Sequence, residues 1–317
     1  MAKTWRTYFP SFVLIVTIPV GFLACHPASN RSELPKKTFV PAGLAIRGQR
    51  AILEESFLHR TFAIPIKEAT VELGMGFRTN AMTFSGTMPG PVIESSEGDL
   101  ITLNVPNQGE AAHGLDTHAF LIDAAQYGPV AAGKTLTITR PVTIPGVFMY
   151  HCAAGPVTDF HMKAGMYGAM IVYPKKLLRP AIELVVVESA LYAKPDAHGM
   201  IIQDATNTAT NQPFTMMFNG TLEHQPIHVP VGQLVRLYFV NVGPGDAAVH
   251  VIGTILDRFY ASGNPQNVLE NVQTASVPPG AGAIIEFPIP EKGTFLFVDH
   301  DNLRFLPYGL ALSFVSP

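Results

Sequence analysis

The sequence predicts an all-β protein built from one β-sandwich used twice, and three observations carry that expectation. Glycine and proline, 27 of each, punctuate a 317-residue chain that is 47% hydrophobic and only 14% charged. Short apolar runs therefore end in turn residues, and no sustained helical period stands out. Residues 99–105, DLITLNV, alternate apolar and polar side chains as a half-buried strand does. The third observation is an internal repeat. Phe84 opens FSGT and leads to Gly98; Phe218 opens FNGT and leads to Gly232 at the same interval. An alternating strand follows each glycine, and GVFMYHC at 146–152 has its counterpart in GTFLFVDH at 293–300.

Taken in order, the chain divides into an export signal (1–25), a tether (26–50), a first sandwich (51–176) and a second (177–317). Lys3 and Arg6 precede an apolar run from Phe9 to Ala24 that stops at Cys25. The run is too short for a comfortable membrane span and has the layout of a signal-peptide core. Export to the periplasm or outer envelope is the expectation. Phe22, Leu23 and Ala24 form an imperfect lipid-attachment motif before Cys25, so lipidation there, simple cleavage and an uncleaved anchor all stay open. Two of these would tether the N-terminus to a membrane. A net charge of -3 argues against a nucleic-acid partner.

The chemistry concentrates in YHCAAGPVTDFHMKAGM, Tyr150 to Met166. A lone cysteine is most often a small buried hydrophobe. Here His151, Cys152, His161 and Met166 fall within one short segment that reads as a hairpin with Gly and Pro turns. One Cys, two His and a weakly held Met are the ligands of a blue-type copper site that shuttles one electron. With Cys25 lipidated or removed, Cys152 is the one thiol of the mature chain. It then has no disulfide partner in an oxidising compartment, and a metal resolves that liability.

A second group lies in HGLDTHAF, which holds His113, Asp116 and His118. If this segment is near-extended, odd spacing turns His113 away from Asp116 and His118. The same rule separates His151 from Cys152. His113 then joins Cys152, His161 and Met166 inside the sandwich, while His118 and His151 face outward beside Asp116. Two imidazoles are an incomplete catalytic site, which usually has three protein ligands and an open position. Because His151 and Cys152 are adjacent, the two sites would share a short covalent electron path.

These residues closely resemble the copper-containing nitrite reductases, two-domain enzymes of tandem cupredoxin-like Greek-key β-sandwiches within the multicopper oxidase superfamily. The likeness runs from about Leu53 onward through AMTFSGTMPGP, HGLDTHAF, YHC to GM, HVIG at 250–253 and VDH at 298–300. Both spacings, Cys-x8-His-x4-Met and His-x2-Asp-x-His, match. The resemblance implies a type 1 copper on His113, Cys152, His161 and Met166 and a type 2 copper on His118, His151 and His300, one of each per subunit. It implies Asp116 and His250 as the catalytic pair that handles protons, Ile252 packed over bound substrate, and Thr274 orienting the catalytic histidine. It also implies a homotrimer in which His300 reaches a neighbouring subunit's site. Nitrite is the implied substrate, reduced to nitric oxide, with a cupredoxin or a cytochrome c as electron donor.

The match has departures. Phe160 stands where the family frequently has Trp, and the 153–159 loop AAGPVTD differs from the usual one, which bears on colour, potential and donor docking. His26, His59, His198, His224 and His228 read as surface or structural residues. Met75, Met82, Met88, Met216 and Met217 read as core fillers. A laccase-like multicopper oxidase of phenols or metal ions would need His-x-His pairs, and the sequence has none. A copper electron-transfer protein without turnover would leave Asp116 and His250 without a purpose.

Overall fold

The computed structural model describes residues 58–301 and 310–317; the expected signal, the tether and Cys25 lie outside the described residues. Strands dominate, as the turn-punctuated sequence predicts, and among the described residues they form five sheets. In the first half, His59–Ala63, Leu100–Pro106 and Thr135–Pro141 make one sheet. Ile93–Ser96, Tyr167–Tyr173, Gly146–His151 and Asp116–Thr117 make the facing one. The Ile66–Gly74 and Phe77–Phe84 hairpin is joined by Met200–Ile201, a short strand from the second half.

The second half has a six-stranded sheet that includes Ile182–Leu191, Leu234–Asn241 and Gly282–Pro288. Facing it is a five-stranded sheet that includes Ala311–Ser316, Gly293–Asp299, Ala247–Ile252 and Thr274–Val277.

Three apolar cores result. One fills the first sandwich, around Ile101, Leu103, Ile138, Tyr150 and Met170. Another fills the second, around Leu184, Val186, Phe239, Phe297 and Phe314. The third lies between the repeats, where Val147, Met149 and Ile171 of the first meet Val185, Val187, Tyr238 and Ile284 of the second. The 146–151 strand explains the arrangement. Phe148 and Tyr150 point into the first core, while Val147 and Met149 point into the shared layer. Buried on both faces, the strand reads as a continuous apolar run instead of an alternation. Each large side chain withdrawn from water there contributes about 1.5–3 kcal/mol, so the shared layer holds the repeats against each other.

Met82, Met88, Met216 and Met217 are buried or half-buried, as core fillers should be. Met75 is not. It is 67% exposed and takes φ 54° between Gly74 and Gly76 at the tip of the hairpin. Turn geometry overrides its hydrophobicity there.

The Cys152 to Met166 segment also departs from the hairpin expectation. It carries a 3-10 turn at Gly155–Val157 and a short helix, α1, at Thr158–Lys163. A second short helix, α2, spans Ala205–Ala209.

Candidate metal centres

The first centre is fully internal. The 146–151 strand sends alternate side chains to opposite faces, so Cys152, one residue past its end, points into the first core and is 0% exposed. The Cys152 N–H donates to the Met166 carbonyl at 3.1 Å, and the Met166 N–H donates to the His161 carbonyl at 3.1 Å. These bonds close the loop and bring α1, with His161, back over the thiol. His113 comes from the other side, bridged to Val130.

The Nδ1 atoms of His113 and His161 lie 3.1 Å apart, and Cys152 Sγ is 3.7 and 3.4 Å from them. Cys and His ligands at about 2.0–2.3 Å from a metal stand roughly that far from one another, so the three donors fit around one small ion. Met166 is 0% exposed in the same core.

The electrostatics agree with a metal-binding donor set. Burial lowers the His113 pKa to about 4, helped by neighbouring His161, and burial lowers that of His161 too. Both imidazoles are therefore neutral and able to ligate at neutral pH. Burial pushes the Cys152 thiol up to about 11, against a hydrogen bond from the Gly114 backbone. Gly114 went unnoticed in the sequence. A Cβ there would lie 2.3 Å from the Tyr127 carbonyl oxygen and 2.4 Å from that of Ala153, so only glycine allows the chain this close to the thiol.

The second centre sits on the other face of the same strand. Between His113 and His118 only Asp116–Thr117 forms a strand, so the expected extended run is broken. The expected division of faces nevertheless holds: His113 is buried, Asp116 half-buried and His118 exposed. Asp116 pairs with His151 across the sheet. The His118 N–H donates to the Met149 carbonyl at 3.1 Å. Intervening Thr117 is tied down by the Tyr127 hydroxyl, which donates to its carbonyl at 3.0 Å.

The two imidazoles are set by backbone acceptors. His118 Nδ1 lies 3.0 Å from the Gly280 carbonyl, and His151 Nδ1 lies 2.8 Å from the Cys152 carbonyl. A carbonyl can only accept, so each Nδ1 carries a proton, and in the neutral ring that tautomer leaves Nε2 bare. Those bare nitrogens face each other at 3.2 Å. Two converging lone pairs call for a cation, and this outer-shell fixing of tautomer is typical of metal-ligating histidines. Asp116 Oδ2 stands 3.9 Å from His151 Nε2. Within one chain the clustered donor atoms, all within 4.8 Å, are those of Asp116, His118 and His151.

His250 and His300 are not part of that cluster. They pair with each other, ring centroids 5.3 Å apart. The His300 N–H donates to the Ala248 carbonyl at 2.7 Å, and His250 Nδ1 is 2.5 Å from the Gln273 carbonyl. Thr274 stands opposite His250 in the register, and Ile252, two residues on, is 38% exposed. The carbonyls of Gly280 and Gln273 had no sequence signal, since any residue supplies one.

A multicopper oxidase family model matches residues 65–177. A copper nitrite reductase structure from Nitrosomonas europaea is 30% identical, with a TM-score of 0.74 over 81% of this chain and 94% of that one. The chain belongs to the copper-containing nitrite reductase family. The enzyme of that name from Neisseria gonorrhoeae is 34% identical over 253 residues, 75% of this chain and 63% of that protein. A copper-containing nitrite reductase structure from Thermus scotoductus matches with a TM-score of 0.75 at 28% identity, covering 82% of this chain and 62% of that one. The chain thus spans somewhat under two thirds of the curated relatives it matches first.

Proposed function

We propose that the protein is a dissimilatory copper-dependent nitrite reductase, taking one electron and two protons to convert nitrite to nitric oxide and water. The observation that carries this reading is the pair of Nε2 lone pairs of His118 and His151, 3.2 Å apart beside the Asp116 carboxylate, on a residue bonded directly to Cys152.

His113, Cys152 and His161, with Met166 as the weak fourth ligand, would hold a type 1 copper, and His118 and His151 would hold a type 2 copper with His300 of another copy. The first metal supplies one-electron storage and the second a Lewis acid for an anion. The His151–Cys152 peptide link supplies the covalent path between them. Asp116 is placed to hydrogen-bond an oxygen of nitrite and to hand it a proton. His250, an imidazole able to carry and release a proton, supplies the second. Ile252 gives the substrate an apolar wall, and Thr274 keeps the His250 ring in place.

The assembly is proposed as a homotrimer, since His250 and His300 form a pair apart from the cluster of their own chain. Export to the periplasm or outer envelope, with lipidation at Cys25, cleavage and an uncleaved anchor all open, and a cupredoxin or cytochrome c as donor complete the proposal.

The deciding experiment is copper content with optical and EPR spectra of the purified protein, followed by a nitrite assay with an artificial donor. Two coppers per subunit and nitric oxide production support the reading; a fully loaded protein that leaves nitrite untouched overturns it. Mixing His118→Ala with His300→Ala chains tests the assembly. Hybrid trimers should regain turnover that neither variant shows alone, and its absence would reject shared sites.

A further inference from the structure

The loop that bears His161 is exposed along much of its length, at Gly155, Pro156, Val157 and Asp159. Met162 of α1 packs on the layer between the repeats and the Ala164 carbonyl accepts from the Met82 N–H at 3.1 Å, and the polar tie from α1 to the second repeat is Lys163, at its end. Its ammonium donates to Asp159 Oδ2 at 2.9 Å and to the Thr208 carbonyl at 2.9 Å. It also lies 5.2 Å from the centroid of the Tyr192 ring. The lysine side chain is 15% exposed, so these partners replace most of its water.

Thr208 and Tyr192 belong to the second repeat, and their receptor for the ammonium is built in advance. Thr208 is in α2, whose first turn is capped by Asp204 Oδ1 on the Asn207 N–H at 2.7 Å. The Thr208 hydroxyl donates to the Asp204 carbonyl and accepts from Gln203. The Thr208 carbonyl accepts from the Asn211 N–H at 3.2 Å and keeps a second lone pair for the ammonium, at the helix end where a cation is favoured. Tyr192 is 1% exposed beneath the lysine, and the face of an aromatic ring attracts an ammonium.

We propose that Lys163 is a positioning residue for the Cys152 centre: it locks α1 onto the second repeat and so fixes the approach of His161 to the metal. His161 is two residues away in the same six-residue helix. The Met166 N–H hangs from the His161 carbonyl, so a shift of α1 moves both. The second sandwich, which has no thiolate of its own, thereby sets the geometry of the first one's metal. This rests on the copper reading of the Cys152 ligand set.

Lys163→Met keeps the aliphatic stem and removes the charge and the donors. In the full-length copper-loaded protein, the expected result is unchanged copper content with an altered ratio of the two thiolate-to-copper absorption bands and an altered EPR hyperfine splitting. Lys163→Arg, which can still donate to Thr208 and lie over Tyr192, should restore much of the wild-type spectrum. Should Lys163→Met fail to fold, Asp204→Ala, which loosens α2 without touching α1, should move the band ratio in the same direction by less. A wild-type spectrum in Lys163→Met, or in Asp204→Ala where that is the variant available, overturns the proposal. So does a shift in reduction potential with an unaltered spectrum, because loss of a distant charge is enough to cause that. Absence of the thiolate bands from the wild-type protein would instead reject the copper reading itself.

Discussion

The two sandwiches share a register and differ in what occupies it. In the first, Gly146 pairs with Val172, His151 with Tyr167, and Asp116 with His151. In the second, Gly293 pairs with Ser316, Val298 with Ala311, and His250 with Val298. Laying Gly146 on Gly293 places Asp299 where Cys152 stands, Ala247 where His113 stands and Leu310 where Met166 stands. The thiolate position of the second repeat holds a fully buried carboxylate. Asp299 accepts from the Ala248 N–H at 2.7 Å and the Asp301 N–H at 3.1 Å. Here the carboxylate binds backbone N–H groups.

The same superposition puts His250 on Asp116 and Ile252 on His118. The two side chains assigned to proton handling are thus one position of the repeat, filled by a carboxylate in one copy and an imidazole in the other. The backbone frame is common, and under the proposed function a handful of side chains near the strand ends would decide whether it stores an electron, passes a proton or closes a loop.

The sharpest way to break this contrast is Cys152→Ala. It brings the first sandwich to the thiol-free condition of the second and should abolish visible thiolate-to-copper absorption. A type 2 EPR signal should persist, and nitrite turnover with it should fall to background. Retained colour would remove Cys152 from the metal.

Next in size are Asp116→Asn and His250→Asn, one in each repeat at the same position. A positioned general acid contributes on the order of 10²–10⁴-fold to rate. Both variants are expected to keep both coppers and lose about a hundredfold or more in turnover, with an altered pH profile. Equal loss from both would mark the pair as equivalent partners. Wild-type rates in both would favour a passive electron carrier.

Metal removal and pH give a smaller but signed effect. In the metal-free protein His113 has a folded pKa of about 4, below the ordinary 6.5, because burial opposes its charge. The unfolded chain therefore takes the proton first, and stability is full above about pH 6.5 and lost as pH falls toward 4. Lowered His161 and His151 add in the same direction. The second sandwich has Ala247 at the His113 position, and there burial lowers His224 instead. With the Cys152 thiol near 11, copper uptake at neutral pH should release about one proton per site from that residue. Melting temperature against pH, and calorimetry in buffers of different ionisation heat, measure the two effects. A metal-free protein equally stable at pH 4 and pH 7 would contradict the first.

Much of this was legible in the sequence because short spacings and strand parity are local. Cys152, His161 and Met166 could be grouped by interval alone, and His151 could be turned from Cys152 by alternation. The helical turn at 158–163 was not legible, since TDFHMK has no helical pattern and is held by closure of its ends onto Cys152. Met75 misled because its turn demands a positive φ whatever the side chain prefers. Gly114, the Gly280 and Gln273 carbonyls and the reach of Lys163 to Thr208 all depend on backbone proximity between distant segments. No residue type announces that.

The smallest expected effect tests the carboxylate at the thiolate position. Asp299→Ala leaves the half-buried N–H groups of Ala248 and Asp301 without their acceptor, and since a fully buried unsatisfied donor costs roughly 1–3 kcal/mol, the loss here should lie at or below the low end of that range. Asp299→Asn keeps an oxygen that can accept from both and should cost less. Neither change touches the Cys152 centre, so thiolate colour should be unchanged in both while the melting temperature falls more for alanine. His300 follows Asp299 directly and donates to Ala248, the residue Asp299 grips, so type 2 copper occupancy should drop along with stability in Asp299→Ala. A variant that loses thiolate colour, or one in which alanine is no worse than asparagine, would show that Asp299 does something other than bind the backbone at the place its counterpart gives to a metal.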